Sequence, residues 1–247
     1  MRLNVFLQRA GIGSRREAER LVAEGRVTIN GKVAAPTQPV EETDKVKVDG
    51  QAVALDTKPV PRLYMLNKPL DVLVTTYDSQ GRATVFELPA LNKPSLPRLM
   101  NVGRLDVNSE GLLLFSSDGP LAQAMMSPKT ALERVYRVRV HGRLSPKDIE
   151  QLAKGVVAGG VHYRGAKVQE ERKPTGQNTW YQVVLTEGKN REIRKLMEHF
   201  GCVVNRLIRI QYGPFHLGEL ATGQMKEVPP KQVMRFLEDL RDEGVKI

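Results

Sequence analysis

The 247-residue chain contains a single cysteine, Cys202, and only four histidines. One thiol cannot form an internal disulfide, and it cannot supply the thiolate cluster of a zinc site. The histidines lie in four different segments, and no pair of them has the spacing of metal ligands on a helix. They are His141, His162, His199 and His216. We therefore predict neither a disulfide nor a metal site.

Long apolar runs are also missing. No segment approaches the roughly 18 uncharged apolar residues that a membrane-spanning helix requires. The start, "MRLNVFLQRAG", lacks the apolar core of a signal peptide. The phosphate-binding pattern GxxxxGK[ST] and the serine-elbow pattern GxSxG are absent as well. We expect a cytoplasmic protein without a membrane partner.

The chain does have an excess of positive charge, with 38 Lys and Arg against 28 Asp and Glu and a net charge of +10. Cations displace the counterions condensed on a phosphate backbone, so this excess favours a nucleic-acid partner. An anionic membrane surface would instead require a basic amphipathic helix. The candidate, "KQVMRFLEDLRDEGVKI", is rich in acids and is better explained as a solvated helix. It would pack through Val233, Phe236, Leu237 and Leu240.

The first 58 residues have the pattern of a separate small domain. Apolar residues at helical spacing predict one helix in "RLNVFLQRA". Ser14 followed by Glu17 is the capping-box pattern of a second helix. The pairs Asn30–Gly31 and Asp49–Gly50 interrupt short alternating segments and predict two hairpins.

A linker and a larger domain follow. The stretch "DTKPVPR" at 56–62 contains two prolines and predicts a linker. Predicted strands beyond it are "LYMLNKP", "DVLVTTY", "LERVYRVRVHG", "TWYQVVLTEG" and "VVNRLIRIQYG", the first two joined by a proline turn. Predicted helices are "SPKDIEQLAKG" and "NREIRKLMEHFG". This mixed order favours an α+β fold over a doubly wound sheet.

Positive charge is concentrated at the front of the chain, where residues 1–33 carry seven bases and three acids. Two of the bases lie in the first turn of the second predicted helix, where the helix dipole disfavours cations. Phosphate contact and an ordinary charged surface both explain them. The run "GSRREAERLVAEGRVTINGK" resembles the alpha-L RNA-binding module that is named for a small-subunit ribosomal protein. The resemblance implies that the RNA-facing residues are Arg15, Arg16, Arg26, Asn30 and Lys32.

The stretch "VGRLDVNSEGLLLFSSDG", at 102–119, places Asp106 beside Arg104 at the start of an apolar run. Paired-carboxylate hydrolysis needs a second acid, and Glu110 is the only near neighbour in sequence. A general acid would have to be protonated, which the adjacent Arg104 disfavours. Two explanations stay open. Asp106 is either an ionised nucleophile or base, or an ordinary turn residue.

The same stretch closely resembles the signature of the RsuA/RluB branch of pseudouridine synthases, which isomerise uridine to pseudouridine in rRNA. Three further stretches match in order, and together they cover most of residues 62–228. They are "NKPLDVLVTTYDSQGRATVFELP", "ERVYRVRVHG" and "LTEGKNREIRKLMEHFGCVVNRLIRIQYGP". A leading alpha-L module is typical of this branch. Within it, "GRLDVN", "EGKNREIRKL" and "NRLIR" are nearest to the RluB members, which act on large-subunit rRNA.

The resemblance implies an alpha-L domain over 1–58 and a catalytic domain over 62–247 with a mixed, mostly antiparallel sheet. It implies a catalytic site without metal or cofactor, in which Asp106 is the essential carboxylate. Tyr136 would stack on the target base, and Arg194 would form a buried ion pair with Asp106. We transfer no role to the residues Asn190, Arg191 and Glu192.

Four further residues are implied to bind the substrate. Leu207 or Ile208 would pack under the base, and Arg82 would enter the RNA where the base leaves it. Arg104 would brace the loop of the aspartate or contact a phosphate. The implied partner is rRNA, free or in a partly assembled subunit, and we expect a monomer.

Two other functions stay open at this point, together with small-subunit rRNA as the substrate. One is a non-catalytic RNA-binding factor of ribosome assembly on the same scaffold. The other is a nucleoside hydrolase, which would release free uracil.

Overall fold

The computed structural model describes residues 1–41, 43–53, 61–171 and 176–245. It divides into two compact units, Met1–Val60 and Pro61–Ile247. The predicted linker at 56–62 lies outside the described residues except for its last two positions.

The first unit packs two helices against a small antiparallel sheet. Its elements are α1 (Leu3–Arg9), α2 (Arg15–Ala23), β1 (Val27–Ile29), β2 (Lys32–Val33), β3 (Val46–Val48) and β4 (Gln51–Val53). The strand order is β2-β1-β3-β4. The backbone N–H of Glu17 donates to Ser14 Oγ at 3.0 Å, and the Glu17 carboxylate accepts from the Ser14 N–H, so the predicted capping box opens α2. Asn30 and Asp49 adopt positive φ in the turns of the two predicted hairpins.

Within the described part of the second unit, nine strands form one mixed sheet, and two more form a separate hairpin. The strands are β5 (Leu63–Lys68), β6 (Met100–Val102), β7 (Glu110–Ser116), β8 (Arg134–His141), β9 (Val156–Ala158), β10 (Val161–Tyr163), β11 (Lys167–Glu170), β12 (Asn178–Leu185), β13 (Val203–Tyr212), β14 (Phe215–His216) and β15 (Met225–Glu227). The order in the large sheet is β11-β12-β8-β13-β7-β5-β15, with β14 on β13 and β6 on β7. Its pairs are antiparallel except for β13 with β7. The predicted α+β fold is confirmed.

Four helices and one 3-10 turn complete the second unit as described. They are the 3-10 turn Val85–Glu87, α3 (Gly119–Met126), α4 (Pro146–Lys154), α5 (Glu192–His199) and α6 (Pro230–Asp242). As predicted for the last helix, α6 buries Val233, Phe236, Leu237 and Leu240. Across the described residues, every helix is too short or too polar to cross a membrane.

Two apolar cores lie on opposite faces of the large sheet. Successive side chains of a strand alternate between faces. Leu66 and Leu113 therefore join the first core, which α4 and α5 cover. Met65 and Leu114 join the second core, which α3 and α6 cover. Burial of each such leucine contributes about 1.5–3 kcal/mol, and both β5 and β7 have buried side chains on the two faces of the sheet.

One predicted strand is wrong. "DVLVTTY", at 71–77, forms no ladder, and only Leu73 makes an isolated bridge, to Thr84. Both edges of β5 are already occupied, by β7 on one side and by β15 on the other. The segment that follows β5 therefore cannot pair with β5 as a hairpin strand, and it forms a loop that packs Val72 and Val74 against the first core.

Candidate active site

Asp106 lies on the loop that joins β6 to β7, residues 103–109, which we call the Asp106 loop. The N–H of Ser109 donates to the carbonyl of Asp106 at 3.0 Å and closes the loop into a turn. The N–H of Asp71 donates to the carbonyl of Val107 at 3.0 Å, which ties the loop to the segment after β5. The Asp106 side chain is 34% exposed, so its carboxylate is accessible while the backbone that carries it is fixed.

A fully buried lysine donates hydrogen bonds to the backbone of this loop and of the segment after β5. Lys68 is 0% exposed, and its Nζ donates to the carbonyls of Pro69 at 2.8 Å and Ser109 at 2.9 Å. Burial lowers the pKa of Lys68 to about 8, although the carboxylates of Asp71, Asp106 and Glu110 oppose that shift. The ammonium therefore lies within electrostatic reach of Asp106 while its hydrogen bonds hold the loop backbone.

Sequence reasoning missed Lys68. Its signal was a charged residue at the end of the apolar run "LYMLNK", directly before a proline. Charged residues are rarely buried fully unless they are paired. A lysine in that position therefore indicates acceptors from elsewhere in the chain, but the run itself does not identify them.

Two arginines of the α5 region approach the Asp106 loop. Arg191 Nη1 lies 3.9 Å from Asp106 Oδ2. Arg191 has a left-handed conformation, φ 52°, at the N-cap of α5. Arg194 donates through Nη2 to the carbonyl of Asn108 at 2.7 Å and through Nη1 to the carbonyl of Val204 at 3.0 Å. The α5 region therefore supplies one guanidinium to the carboxylate and another to the backbone beside it.

The expected direct pair between Arg194 and Asp106 needs correction. Among the described residues, the ion-pair partner of Asp106 is Arg191, to which sequence reasoning gave no role. Burial lowers the pKa of Arg194, Arg191 adds to that shift, and Asp106 opposes it, so Arg194 and Asp106 still interact electrostatically. Arg194 donates to a loop carbonyl, and Arg191 at the start of the helix lies beside the carboxylate.

Tyr136 and Leu207 belong to the same core, and Ile208 does not. Tyr136 on β8 is 8% exposed and Leu207 on β13 is 6% exposed, and both lie in the first core with Leu105, the neighbour of Asp106. Ile208 packs against the second core, on the other face of the sheet. Of the two alternatives for the apolar residue under the base, Leu207 is the one that shares a face with Tyr136.

Arg82 is tied to its own loop. Asp78 accepts hydrogen bonds from Arg82 Nε at 3.1 Å and from Arg82 Nη2 at 2.7 Å. These side-chain hydrogen bonds lower the pKa of Asp78 to about 2. Arg104, by contrast, is exposed and has no ion-pair or hydrogen-bond partner in the described part of the chain.

Of the five residues expected to face RNA in the first unit, three contact other described side chains of the unit and two do not. Arg26 forms a bidentate pair with Asp49, and the Asn30 side chain bonds to Asp44 and to the Lys45 N–H. Arg15 lies 3.5 Å from Glu19. Arg16 and Lys32 are exposed and unpaired within the described residues, so they are the groups available for phosphate contact.

A buried carboxyl pair lies at the turn before α5. Glu192 is 3% exposed, and burial raises its pKa to about 7. Its Oε2 accepts from the Lys189 N–H at 2.8 Å. Burial would also raise the pKa of Glu187, but hydrogen bonds from Lys189 Nζ and the Arg164 N–H lower it. This pair fixes the turn that presents Arg191.

Comparison with known families gives two matches. The profile described as "RNA pseudouridylate synthase" matches residues 62–199. The S4 domain profile matches residues 1–46.

Individual relatives cover most of the chain. "Ribosomal large subunit pseudouridine synthase B" of Pseudomonas aeruginosa is 40% identical over 236 residues, which are 94% of this chain and 60% of the relative. An "Uncharacterized RNA pseudouridine synthase" of Rickettsia felis is 40% identical over 231 residues, 93% of this chain and 97% of the relative. A solved "pseudouridylate synthase" shares the fold, with a TM-score of 0.67 at 21% identity over 95% of this chain and 98% of that one.

Proposed function

Because the chain belongs to the RNA pseudouridine synthase family, we propose that it isomerises a specific uridine of rRNA to pseudouridine with Asp106 as the essential carboxylate. The reaction breaks the bond between N1 of uracil and C1′ of the ribose, turns the base, and joins C5 to C1′. The proton on C5 leaves, and N1 gains one. Nothing is oxidised or reduced, so the proposed reaction needs no cofactor.

One observation carries the proposal: the accessible carboxylate of Asp106 lies on a loop whose backbone is held in place by other parts of the unit. Lys68 and Arg194 both donate to carbonyls of the Asp106 loop, and Arg191 lies beside the carboxylate. An ionised carboxylate flanked by cations suits attack on C1′ or removal of a sugar proton. Fixed positioning of such a group lowers the barrier, since little reorganisation is needed when the substrate binds.

The target base would stack against the first core. We propose that Tyr136 supplies the aromatic face and Leu207 the apolar floor, as suits a base that has left its helix. Leu105 in the same core connects that face to Asp106. Arg82 and Arg104 are proposed to contact the RNA around the target nucleotide.

The substrate proposed is large-subunit rRNA, free or in a partly assembled subunit, bound by a cytoplasmic monomer. The name of the Pseudomonas relative supports the large subunit. The net charge of +10 supports a polyanion. In the first unit, Arg16 and Lys32 are proposed to contact phosphates, since both cations are exposed and unpaired among the described residues.

The test uses purified protein and unmodified rRNA transcripts of both subunits. Pseudouridine is labelled with carbodiimide and mapped as stops of reverse transcription. Asp106→Asn keeps the shape of the side chain and removes its charge. Asp71→Asn is the matched control, because Asp71 also lies within electrostatic reach of Lys68 and tolerates asparagine at its φ of 61°.

We expect one new stop on the large-subunit transcript with the wild type and with Asp71→Asn, and none with Asp106→Asn. A stop confined to the small-subunit transcript would reassign the substrate. Free uracil would indicate a hydrolase. Tight binding without any stop, on transcripts and on precursor subunits alike, would indicate an RNA-binding factor and overturn the proposal.

A further inference from the structure

Tyr77 is the most exposed large apolar side chain of the described residues, at 77%. The other large apolar side chains of comparable exposure in that part of the chain are aliphatic residues and methionines. Among the tyrosine, tryptophan and phenylalanine residues that the structure describes, Tyr77 is the one whose side chain is mostly exposed. Scattered aliphatic residues are common on protein surfaces, but an aromatic ring in this position has a flat face that a planar ligand can cover.

The loop that carries the ring, residues 75–82, which we call the Tyr77 loop, is braced on both sides of it. Thr75 Oγ1 donates to the carbonyl of Tyr77 at 2.9 Å and accepts from its N–H at 3.3 Å. Asp78 accepts from the N–H groups of Gln80 at 3.1 Å and Arg82 at 2.9 Å. The backbone around the ring is thus ordered before any ligand binds, which lowers the entropic cost of binding.

The two groups of this loop that could stack on a nucleobase differ in availability. The Arg82 guanidinium is held by two hydrogen bonds to the Asp78 carboxylate. The Tyr77 ring has no such partner among the described residues. A base that approaches the loop therefore meets a free aromatic face first, and Arg82 can move only after its pair with Asp78 is broken.

The Tyr77 loop is connected to the Asp106 loop through the segment that follows β5. Asp71 bonds to Val107, and the pairs Leu73 N to Ala83 O and Val85 N to Leu73 O close the base of the Tyr77 loop. Tyr77 is six positions after Asp71 in the sequence, which at about 3.3 Å per extended residue limits the separation of their Cα atoms to about 20 Å. An RNA with a nucleotide at Asp106 therefore has neighbouring nucleotides within reach of the ring.

We propose that Tyr77 stacks on an unpaired nucleobase of the RNA that carries the target uridine, and that this contact fixes which nucleotide reaches Asp106. The occupant is an RNA base because aromatic side chains recognise single-stranded bases by stacking. The net charge of +10 favours the same polyanion. The inference rests on the proposed function for the identity of the RNA.

The test measures the binding of Tyr77→Phe, Tyr77→Leu and Tyr77→Ala to overlapping fragments of the unmodified large-subunit transcript. Pseudouridine formation in the full transcript is measured with the same preparations. Phenylalanine keeps the ring, and leucine keeps an apolar side chain without one. At 77% exposure none of the three changes removes packing, and thermal melting verifies that each variant is folded.

On the fragment that the wild type binds most tightly, we expect a loss of about tenfold in affinity for the alanine and leucine variants, the scale of one base–aromatic stack. The phenylalanine variant should bind like the wild type. A photo-crosslink from 4-thiouridine in that fragment should map to Tyr77. Equal binding by wild type and Tyr77→Ala, or equal losses in all three variants, would overturn the inference.

The outcome is separable from the proposed function. If the wild type forms pseudouridine but Tyr77→Ala binds as tightly as the wild type, only the stacking inference fails. If the wild type forms none but the ring-dependent loss of affinity is present, the stacking inference stands and the proposed function fails.

Discussion

The two loops of the second unit that border the candidate site are held in different ways. The Asp106 loop is fixed by side chains from outside it, Lys68 at the end of β5 and Arg194 on α5. The Tyr77 loop is fixed by its own Asp78, which bonds only within the loop. The loop proposed to carry the reacting carboxylate therefore depends on β5 and α5, whereas the loop proposed for recognition is held by its own side chains.

This difference suggests a division of labour. A loop that presents a reacting group must keep one geometry, and support from two well-packed elements provides it. A loop that braces itself can change its exposed residues without disturbing that geometry. We therefore expect substitutions at the Asp106 loop to change the reaction rate, and substitutions at the Tyr77 loop to change the affinity for RNA.

The largest expected effect comes from Lys68→Met, which keeps the volume and removes the donor. The buried carbonyls of Pro69 and Ser109 would lose their partner, so the free energy of unfolding should fall by about 1–3 kcal/mol. Turnover should fall by about a hundredfold, the scale of an ångström-sized misplacement. Denaturant melts and single-turnover rates measure both.

Lys167→Met is the matched control, since that side chain is 80% exposed. It should leave the rate and the stability unchanged. If folded Lys68→Met turned over at the wild-type rate, the Asp106 loop would keep its shape without Lys68. The proposed difference between the Asp106 loop and the Tyr77 loop would then be wrong.

The same distinction between engaged and free groups can be tested in the first unit. Arg16→Gln combined with Lys32→Gln should weaken RNA binding and make log K less steep against log salt by up to about 1.4–1.8, at about 0.7–0.9 per phosphate contact. Arg26→Gln should leave the slope nearly unchanged, because Asp49 already neutralises that guanidinium. Binding titrations over a series of salt concentrations measure these slopes. Equal slope changes in the double variant and in Arg26→Gln would contradict the distinction between paired and unpaired cations.

The support that α5 gives to the Asp106 loop should depend on pH through Glu192. Burial raises the pKa of Glu192 to about 7, above the ordinary value of 4.5. Between these values the folded chain holds a proton that the unfolded chain releases, so stability falls as pH rises through this window, by about 3 kcal/mol at most.

Glu192→Gln should remove that fall and leave a variant more stable than the wild type above pH 7. Urea melts at a series of pH values between 5 and 8 measure the free energy of unfolding of both proteins. This range includes the pKa of about 7. An unchanged pH dependence in Glu192→Gln would mean that another group is responsible.

The smallest expected effect is that of Asp78→Asn on overall stability, because the contacts it loses lie within one exposed loop. The melting temperature should stay close to that of the wild type. Hydrogen exchange should accelerate at the amides of Gln80 and Arg82, which donate to Asp78, and stay unchanged at Ser109. Faster exchange at Ser109 would show that the two loops are coupled rather than separately held.

Local patterns in the sequence predicted the local parts of this fold. The capping box at Ser14, the hairpin turns at Asn30 and Asp49, and the buried face of α6 depend only on neighbouring residues. Such rules of spacing and turn chemistry act within a few positions. The α+β class followed from the order of those elements.

The rest depends on partners far away in the chain. The acceptor of Lys68 at Ser109 is 41 residues away, and the second edge of β5 is taken by β15, near the end of the chain. Arg191, which contacts Asp106, has a left-handed backbone at the start of α5, and the letters "NREIR" do not indicate that conformation. The resemblance selected Asp106 and Arg194, but the partner that each side chain has in the fold required coordinates.

The most direct measurement of the central claim is tritium release from large-subunit transcript labelled at C5 of uridine. Formation of pseudouridine replaces the C5 hydrogen, so each event releases one label. The wild type and Asp71→Asn should release about one label per transcript, and Asp106→Asn should release none while it still binds the RNA. Release by folded Asp106→Asn at the wild-type rate would contradict the account, because the carboxylate held by the Asp106 loop would then have no part in the reaction.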